Sequence, residues 1–89
     1  MKLLKTEEHK EFCKVIGANL RRMRTEKKLS QSEVAFALEV TWQQMQKYEN
    51  GKNCPSAWRL KQLADFFKIS AIDILDTNFI TNRDRQEKL

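Results

Sequence analysis

Two glycines, one proline, one histidine and two cysteines are all that this 89-residue chain offers of the residues from which phosphate loops, linkers and metal sites are most often built. With glycine only at positions 17 and 51, there is no glycine-rich loop to cradle a phosphate and no Gly/Pro linker to divide the chain. The single histidine, His9, sits near the N-terminus, and no nucleophile stands beside a base, so an enzyme active site has no parts to be built from. Cys13 and Cys54 share no metal-like spacing with each other or with His9. Neither a zinc site nor a disulfide framework is expected, and a reduced cytosolic protein is the simplest reading. Long apolar runs are also missing: nothing approaches the roughly 20 residues of a membrane span, and MKLLKTEEHK is too charged for a signal peptide. A soluble protein that is not exported, without metal or cofactor, is expected.

Charge is present in excess. Seventeen Lys and Arg against twelve Asp and Glu give a formal +5, which favours a polyanionic partner or an acidic surface. The excess is uneven: residues 1–29 hold nine basic against four acidic residues, residues 30–55 two against three, and residues 56–89 six against five. At this length the chain is one domain that buries roughly 60–65% of its unfolded surface, too little for a substrate cavity.

Apolar periodicity predicts five helices and no strand. Residues 1–6 are expected to fray. Phe12, Val15, Ile16, Leu20 and Met23 then form one stripe of a first helix from about Glu7 to Lys28. Gly17 interrupts that stripe at a cost of about 1 kcal/mol against alanine, which leaves both a close packing contact and simple tolerance open. Two short helices follow, about Gln31 to Leu38 or Glu39 and about Trp42 to Glu49. Ser30 with Glu33 and Thr41 with Gln44 have the capping-box spacing at their starts. Val34, Leu38, Val40, Met45 and Tyr48 allow them to share a small core, and Ala35 lets the backbones approach. Asn50-Gly51 supplies a C-terminal stop. Ser56 caps a fourth helix carrying Leu60, Leu63, Ala64 and Phe67, with Trp58 and Phe66 beside it. Ser70 with Asp73 opens a fifth carrying Ile72, Leu75 and Ile74. The expected layout is an N-terminal extension and start of helix 1 over 1–11, a domain over 12–76, and a polar tail over 77–89 that contributes to a dimer.

The stretches LRRMRTEKKLSQSEVA, VTWQQMQKYENGK and PSAWRLKQLADFFKISAIDIL, over about residues 12–76, resemble the Xre-like, Cro/repressor-type helix-turn-helix domains, also called lambda-repressor-like. The order, loop lengths and flanking helices all agree. The resemblance implies an all-α, five-helix DNA-binding domain with its helix-turn-helix at helices 2 and 3.

Helical geometry points to the same surface. At about 100° per residue, Gln43, Lys47 and Asn50 lie about 140–200° from the inward Met45, so the outward face is amide and lysine. Gln pairs with adenine N6 and N7 and Lys donates to guanine, which makes Gln43 and Lys47 first choices for base contact, with Trp42 and Gln44 flanking them. Trp42 stands where the family is commonly polar. It lies either against thymine methyls or the sugar-phosphate wall, or folded on its own domain. By resemblance, Gln31, Thr41, Asn50, Lys52 and Ser56 are phosphate-contacting residues, although Lys52 also fits an ordinary solvated lysine. Arg24 and Glu49 match a structural ion pair that ties helix 1 to the end of helix 3. Glu39 departs from the glycine usual in the family's turn and puts a negative charge near the DNA side.

These readings lead to a sequence-specific regulator of double-stranded DNA, a repressor of bacterial or phage type, acting as a homodimer on a palindromic operator in the cytoplasm and nucleoid. Ile72, Leu75, Phe79 and Ile80 are the expected dimer interface; alternatively Ile72 and Leu75 close the monomer's own core. The competing reading is an antitoxin or adaptor in complex with a protein partner that engages the tail from Thr77. An RNA-binding role lacks the exposed aromatic platforms of single-strand binders.

Overall fold

The computed structural model describes residues 2–76, with side chains from Glu7 onward; the tail over 77–89, including Phe79 and Ile80, lies outside the described residues. Five helices follow one another: α1 (Lys2–Glu26), α2 (Gln31–Leu38), α3 (Trp42–Glu49), α4 (Ala57–Phe67) and α5 (Ala71–Leu75). Among the described residues there is no strand, and no helix is long and apolar enough to cross a membrane.

The local signals for helix starts account for four of the five boundaries. Ser30 and Glu33 form a complete capping box: Glu33 N donates to Ser30 Oγ at 3.0 Å, and Ser30 N donates to Glu33 Oε1 at 2.7 Å. At Ser70, Ile72 N donates to the hydroxyl and Ser70 N donates to the Asp73 carboxylate. The expected box at Thr41 is only half made. Gln44 N donates to Thr41 Oγ1, but the Gln44 side chain turns to Asn53 instead, its Nε2 standing 3.2 Å from Asn53 Oδ1. A long-range partner has outcompeted the local one.

Helix α1 departs from expectation at both ends. It begins at Lys2 rather than fraying to about Glu7, over residues Leu, Lys and Glu that favour a helix by intrinsic propensity. It ends at Glu26 because Lys28 takes a left-handed conformation (φ 60°) and Leu29 N donates back to Arg24 O. The same closure recurs at Glu39 and Lys68, both with φ 60°, where Val40 N reaches Ala35 O and Ile69 N reaches Ala64 O. Gly51, with φ 82°, closes α3 as Lys52 N donates to Lys47 O. All four are Schellman-type ends, and only one has the glycine that this geometry favours.

The core is built from Ile16, Leu20 and Met23 of α1, Val34, Ala35 and Leu38 of α2, Met45 and Tyr48 of α3, Leu63, Ala64 and Phe67 of α4, and Ile74 of α5. The Phe67 ring also meets Phe66 edge-on, centroids 5.1 Å apart. Three members of the predicted stripes, Phe12, Val15 and Ile72, fall outside this core. Phe12 is 38% exposed, and its neighbour Cys13 is buried instead. On α5 the inward residue is Ile74, with Leu75 half-buried against the core, while Ile72 is 73% exposed and so does not close the monomer.

Cysteine is the clearest correction. Cys13 and Cys54, 41 residues apart, are joined in a disulfide with Cα atoms 5.2 Å apart. Sequence spacing did not reveal this because the loop after α3 folds back over α1. A Cβ built on Gly51 would stand 2.8 Å from Lys14 Cγ, one residue from Cys13.

Candidate nucleic-acid interface

Helix α3 is held from beneath by α1. Gly17 carries no side chain where the two helices meet: a Cβ there would come within 2.8 Å of the Glu49 carbonyl carbon and closer still to the carbonyl oxygens of Tyr48 and Glu49. Of the two readings of Gly17, the close packing contact is the one realised. Beside it Arg24 grips the end of α3 through two nearly parallel bonds, Nε to Glu49 Oε2 at 2.5 Å and Nη2 to Glu49 Oε1 at 2.9 Å. Both side chains are largely withdrawn from solvent. Arg24 Nη1 also donates to Leu29 O at 2.7 Å, in the loop leading into α2. Glu49, by its hydrogen bonds first and its charge as well, raises the Arg24 guanidinium above its ordinary pKa against the opposing effect of burial.

Gln31, at the first position of α2, donates its amide to the same Glu49 oxygen at 3.0 Å. One carboxylate therefore joins α1, α2 and α3. Bidentate arginine pairing fixes direction as well as distance, so the tilt of α3 is set at its C-terminal end.

The outward side of α3 carries Gln43, Gln46 and Lys47, all exposed. Trp42, at the N-terminal end, is 49% exposed and so neither buried nor fully splayed into solvent. Gln44 is half-buried and tied to Asn53, which sets it apart from its exposed neighbours. Around this helix the polar residues form a rim. Thr41 and Ser56 are exposed N-caps of α3 and α4, their hydroxyls accepting from Gln44 N and Arg59 N. Asn50 Oδ1 accepts from Lys52 N at 3.0 Å, and the Lys52 side chain is exposed. The first-turn amides of α2 and α3 lack helical acceptors by construction, so this rim is rich in donors suited to an anion.

A shallow groove of about 220 Å³ lies between α1, α2 and α3, lined by Arg21, Gln31, Gln46, Glu49 and Asn50. Arg21 and Gln46 were given no contact role from the sequence, although both were expected on outward helix faces. Their exposed positions on separate helices only become neighbours once α1 and α3 have packed. Two further polar residues were also missed, and both are scaffold. Buried Asn19 donates to Ile74 O at 2.8 Å and Asp76 O at 3.0 Å, holding the end of α5 to α1. Arg59 donates to Leu38 O at 3.0 Å, satisfying the last carbonyl of α2. Among the described residues no buried side-chain polar atom lacks a partner.

Only one described group has the composition of a metal site: His9, Cys13 and Cys54 present ligand atoms within 4.8 Å of one another. With the cysteines joined, the sulfurs are committed to each other.

Several known proteins are similar to this chain in sequence or in fold. Over 54 residues, 61% of this chain, the sequence is 39% identical to the uncharacterized HTH-type transcriptional regulator y4aM of Sinorhizobium fredii. The match spans only 38% of that relative's length. The crystal structure of the DNA-binding domain of BldD superposes with a TM-score of 0.67 at 30% identity, covering 75% of this chain and 97% of that one. That of the clp gene regulator ClgR from C. glutamicum does so with a TM-score of 0.67 at 26% identity, covering 72% and 83%. Two of the three are named as regulators and the third as a DNA-binding domain. Residues 20–74, more than half of the chain, match the helix-turn-helix family model, and the chain belongs to this Xre/Cro-type helix-turn-helix family.

Proposed function

We propose that the chain binds double-stranded DNA sequence-specifically and regulates transcription as a repressor, pairing as a homodimer on a palindromic operator. The observation that carries this reading is the exposed Gln43, Gln46 and Lys47 face on a helix whose C-terminal end is clamped by Arg24, Gln31 and Gly17. A major-groove reader needs hydrogen-bonding side chains held rigidly against bases, and this helix has them.

Gln43 and Lys47 read base edges, with Trp42 and Gln44 flanking them. Thr41, Asn50, Lys52 and Ser56 set the backbone register, and a phosphate enters the groove between Arg21 and Gln31. One such domain covers a half-site, so a second copy supplies the rest of the specificity. The solvent-facing Ile72 favours α5 as the dimer surface. The protein works in the cytoplasm, on the nucleoid, needing neither metal nor cofactor for this task.

A second reading, an antitoxin or adaptor within a protein complex, draws support from Phe36 at 86% exposure on α2 and from the exposed Trp58 on α4. Enrichment from a random duplex library decides between them. A palindromic motif supports the regulator, while equal binding of all duplexes with one salt dependence rejects it. Sedimentation at micromolar concentration that finds only monomer, with and without operator, rejects the homodimer.

A further inference from the structure

The loop over residues 50–56 carries Asn50, Lys52 and Ser56, holds Gln44 through Asn53, and is tied to α1 by the Cys13–Cys54 bond. We propose that this bond is a site of reversible thiol–disulfide exchange and that its state sets the affinity for duplex DNA. The inference rests on the duplex-binding reading above.

Three observations favour exchange over a permanent staple. The sulfurs are unequal in access: Cys13 is buried, whereas Cys54 is half-buried and lies in a loop. His9 Nε2 stands 3.6 Å from Cys13 Sγ, one helical turn away, where the imidazole can hydrogen-bond to a departing thiolate. What the bond joins is also specific. With the bond closed, the loop lies on α1 at Lys14, and its polar groups are positioned before any ligand arrives. With it open, that order has to be supplied during binding.

The chemistry balances with a small-molecule thiol as reductant. Its thiolate attacks Cys54 Sγ, forming a mixed disulfide there; the Cys13–Cys54 bond breaks and its electron pair leaves on Cys13. A second thiolate attacks the small-molecule sulfur of the mixed disulfide, releasing the oxidised small-molecule disulfide and the Cys54 thiolate. Both protein thiolates can then take up protons from solvent. Two electrons pass to the protein, and in the reverse direction the small-molecule disulfide takes them back, re-forming the Cys13–Cys54 bond and two small-molecule thiols.

The test is a titration of the full chain in buffers of reduced and oxidised dithiothreitol. Thiol state is read by maleimide mass tagging, loop order by hydrogen exchange at residues 50–56, and duplex affinity on the selected operator at fixed salt. The expected result is a reversible two-thiol transition, faster exchange in the loop of the reduced form, and about tenfold weaker operator binding. Cys54→Ser binds like the reduced form at every buffer ratio.

Equal operator affinity in both verified states overturns the proposal, as does failure to form the intramolecular bond at any ratio. So does a reduced protein that takes up one equivalent of zinc through His9, Cys13 and Cys54, since the trio then holds a metal. Should neither form select any duplex, the DNA-binding reading fails, and with it the control of affinity. Loop exchange then decides separately whether the bond orders residues 50–56.

Discussion

Gly17 and Glu49 are in backbone contact where α1 crosses the last turn of α3, with no room for even a methyl group between them. Gly17→Ala sets the gain in helix propensity against overpacking onto carbonyls that cannot swing aside. Overpacking wins, and the expected net loss is about 1–3 kcal/mol, lowering Tm by roughly 5–15 °C. Thermal unfolding of this one variant checks it, and an unchanged melting temperature would mean that the helices sit farther apart.

Glu49→Ala leaves the Arg24 guanidinium without its carboxylate and releases Gln31 as well. Breaking one side of a buried pair costs about 3–5 kcal/mol. Stability and operator affinity are expected to fall together, because the same carboxylate joins three helices. A wild-type Tm would refute the structural role. The double variant Arg24→Met with Glu49→Leu, in which no charge is stranded, should recover much of the stability without recovering affinity.

At Glu39 the left-handed backbone predicts the opposite sign. Glu39→Gly relieves about 1 kcal/mol of conformational strain, and Tm is expected to rise by about 4–8 °C. Glu39→Gln separates conformation from charge. It should leave Tm near wild type while strengthening non-specific duplex binding, since a negative charge is removed from the α2–α3 turn. Melting curves alongside affinity for a random duplex separate the two contributions.

Base reading and backbone positioning differ in their signatures. Gln43→Ala should relax preference at one base pair of each half-site by about 1–3 kcal/mol and leave the salt slope unchanged. Lys52→Ala and Arg21→Ala should weaken all duplexes alike and lower the salt slope by about one unit each. Affinities for a set of single-base operator variants at several salt concentrations distinguish these patterns, and identical behaviour of Gln43→Ala and Lys52→Ala would rule the division out.

The limits of α2 to α5 were legible because caps and stops are local. Ser30, Thr41, Ser56 and Ser70 each act within three residues of the helix they begin. The apolar periods likewise identified most of the core. What escaped was long-range and polar. Asn19 meets Ile74, 55 positions away; Arg59 meets Leu38, 21 away; Cys13 meets Cys54, 41 away. None of these pairs has a spacing rule, because each depends on which helix faces lie together after the core has closed. Ile72 illustrates the same limit on a small scale. In a five-residue helix Ile72 and Ile74, two residues apart and on opposite faces, leave too short a stretch for periodicity to choose between them, and only docking decides that Ile74 goes in and Ile72 stays out.

Asn19 has a consequence for how two copies would sit on one duplex. α5 is too short to hold its shape unaided, and it is tied by Asn19 to the same helix that, two and five residues away, supports α3 through Gly17 and Arg24. The surface bearing Ile72 and the surface bearing Gln43 are thus fastened to a single beam, without a flexible joint between them. In a dimer joined at Ile72, the separation of the two reading helices would then be fixed by the rigid protomer and the dimer contact alone. Inserting a single base pair at the operator centre then rotates one half-site out of reach, and no bending within the protomer restores it.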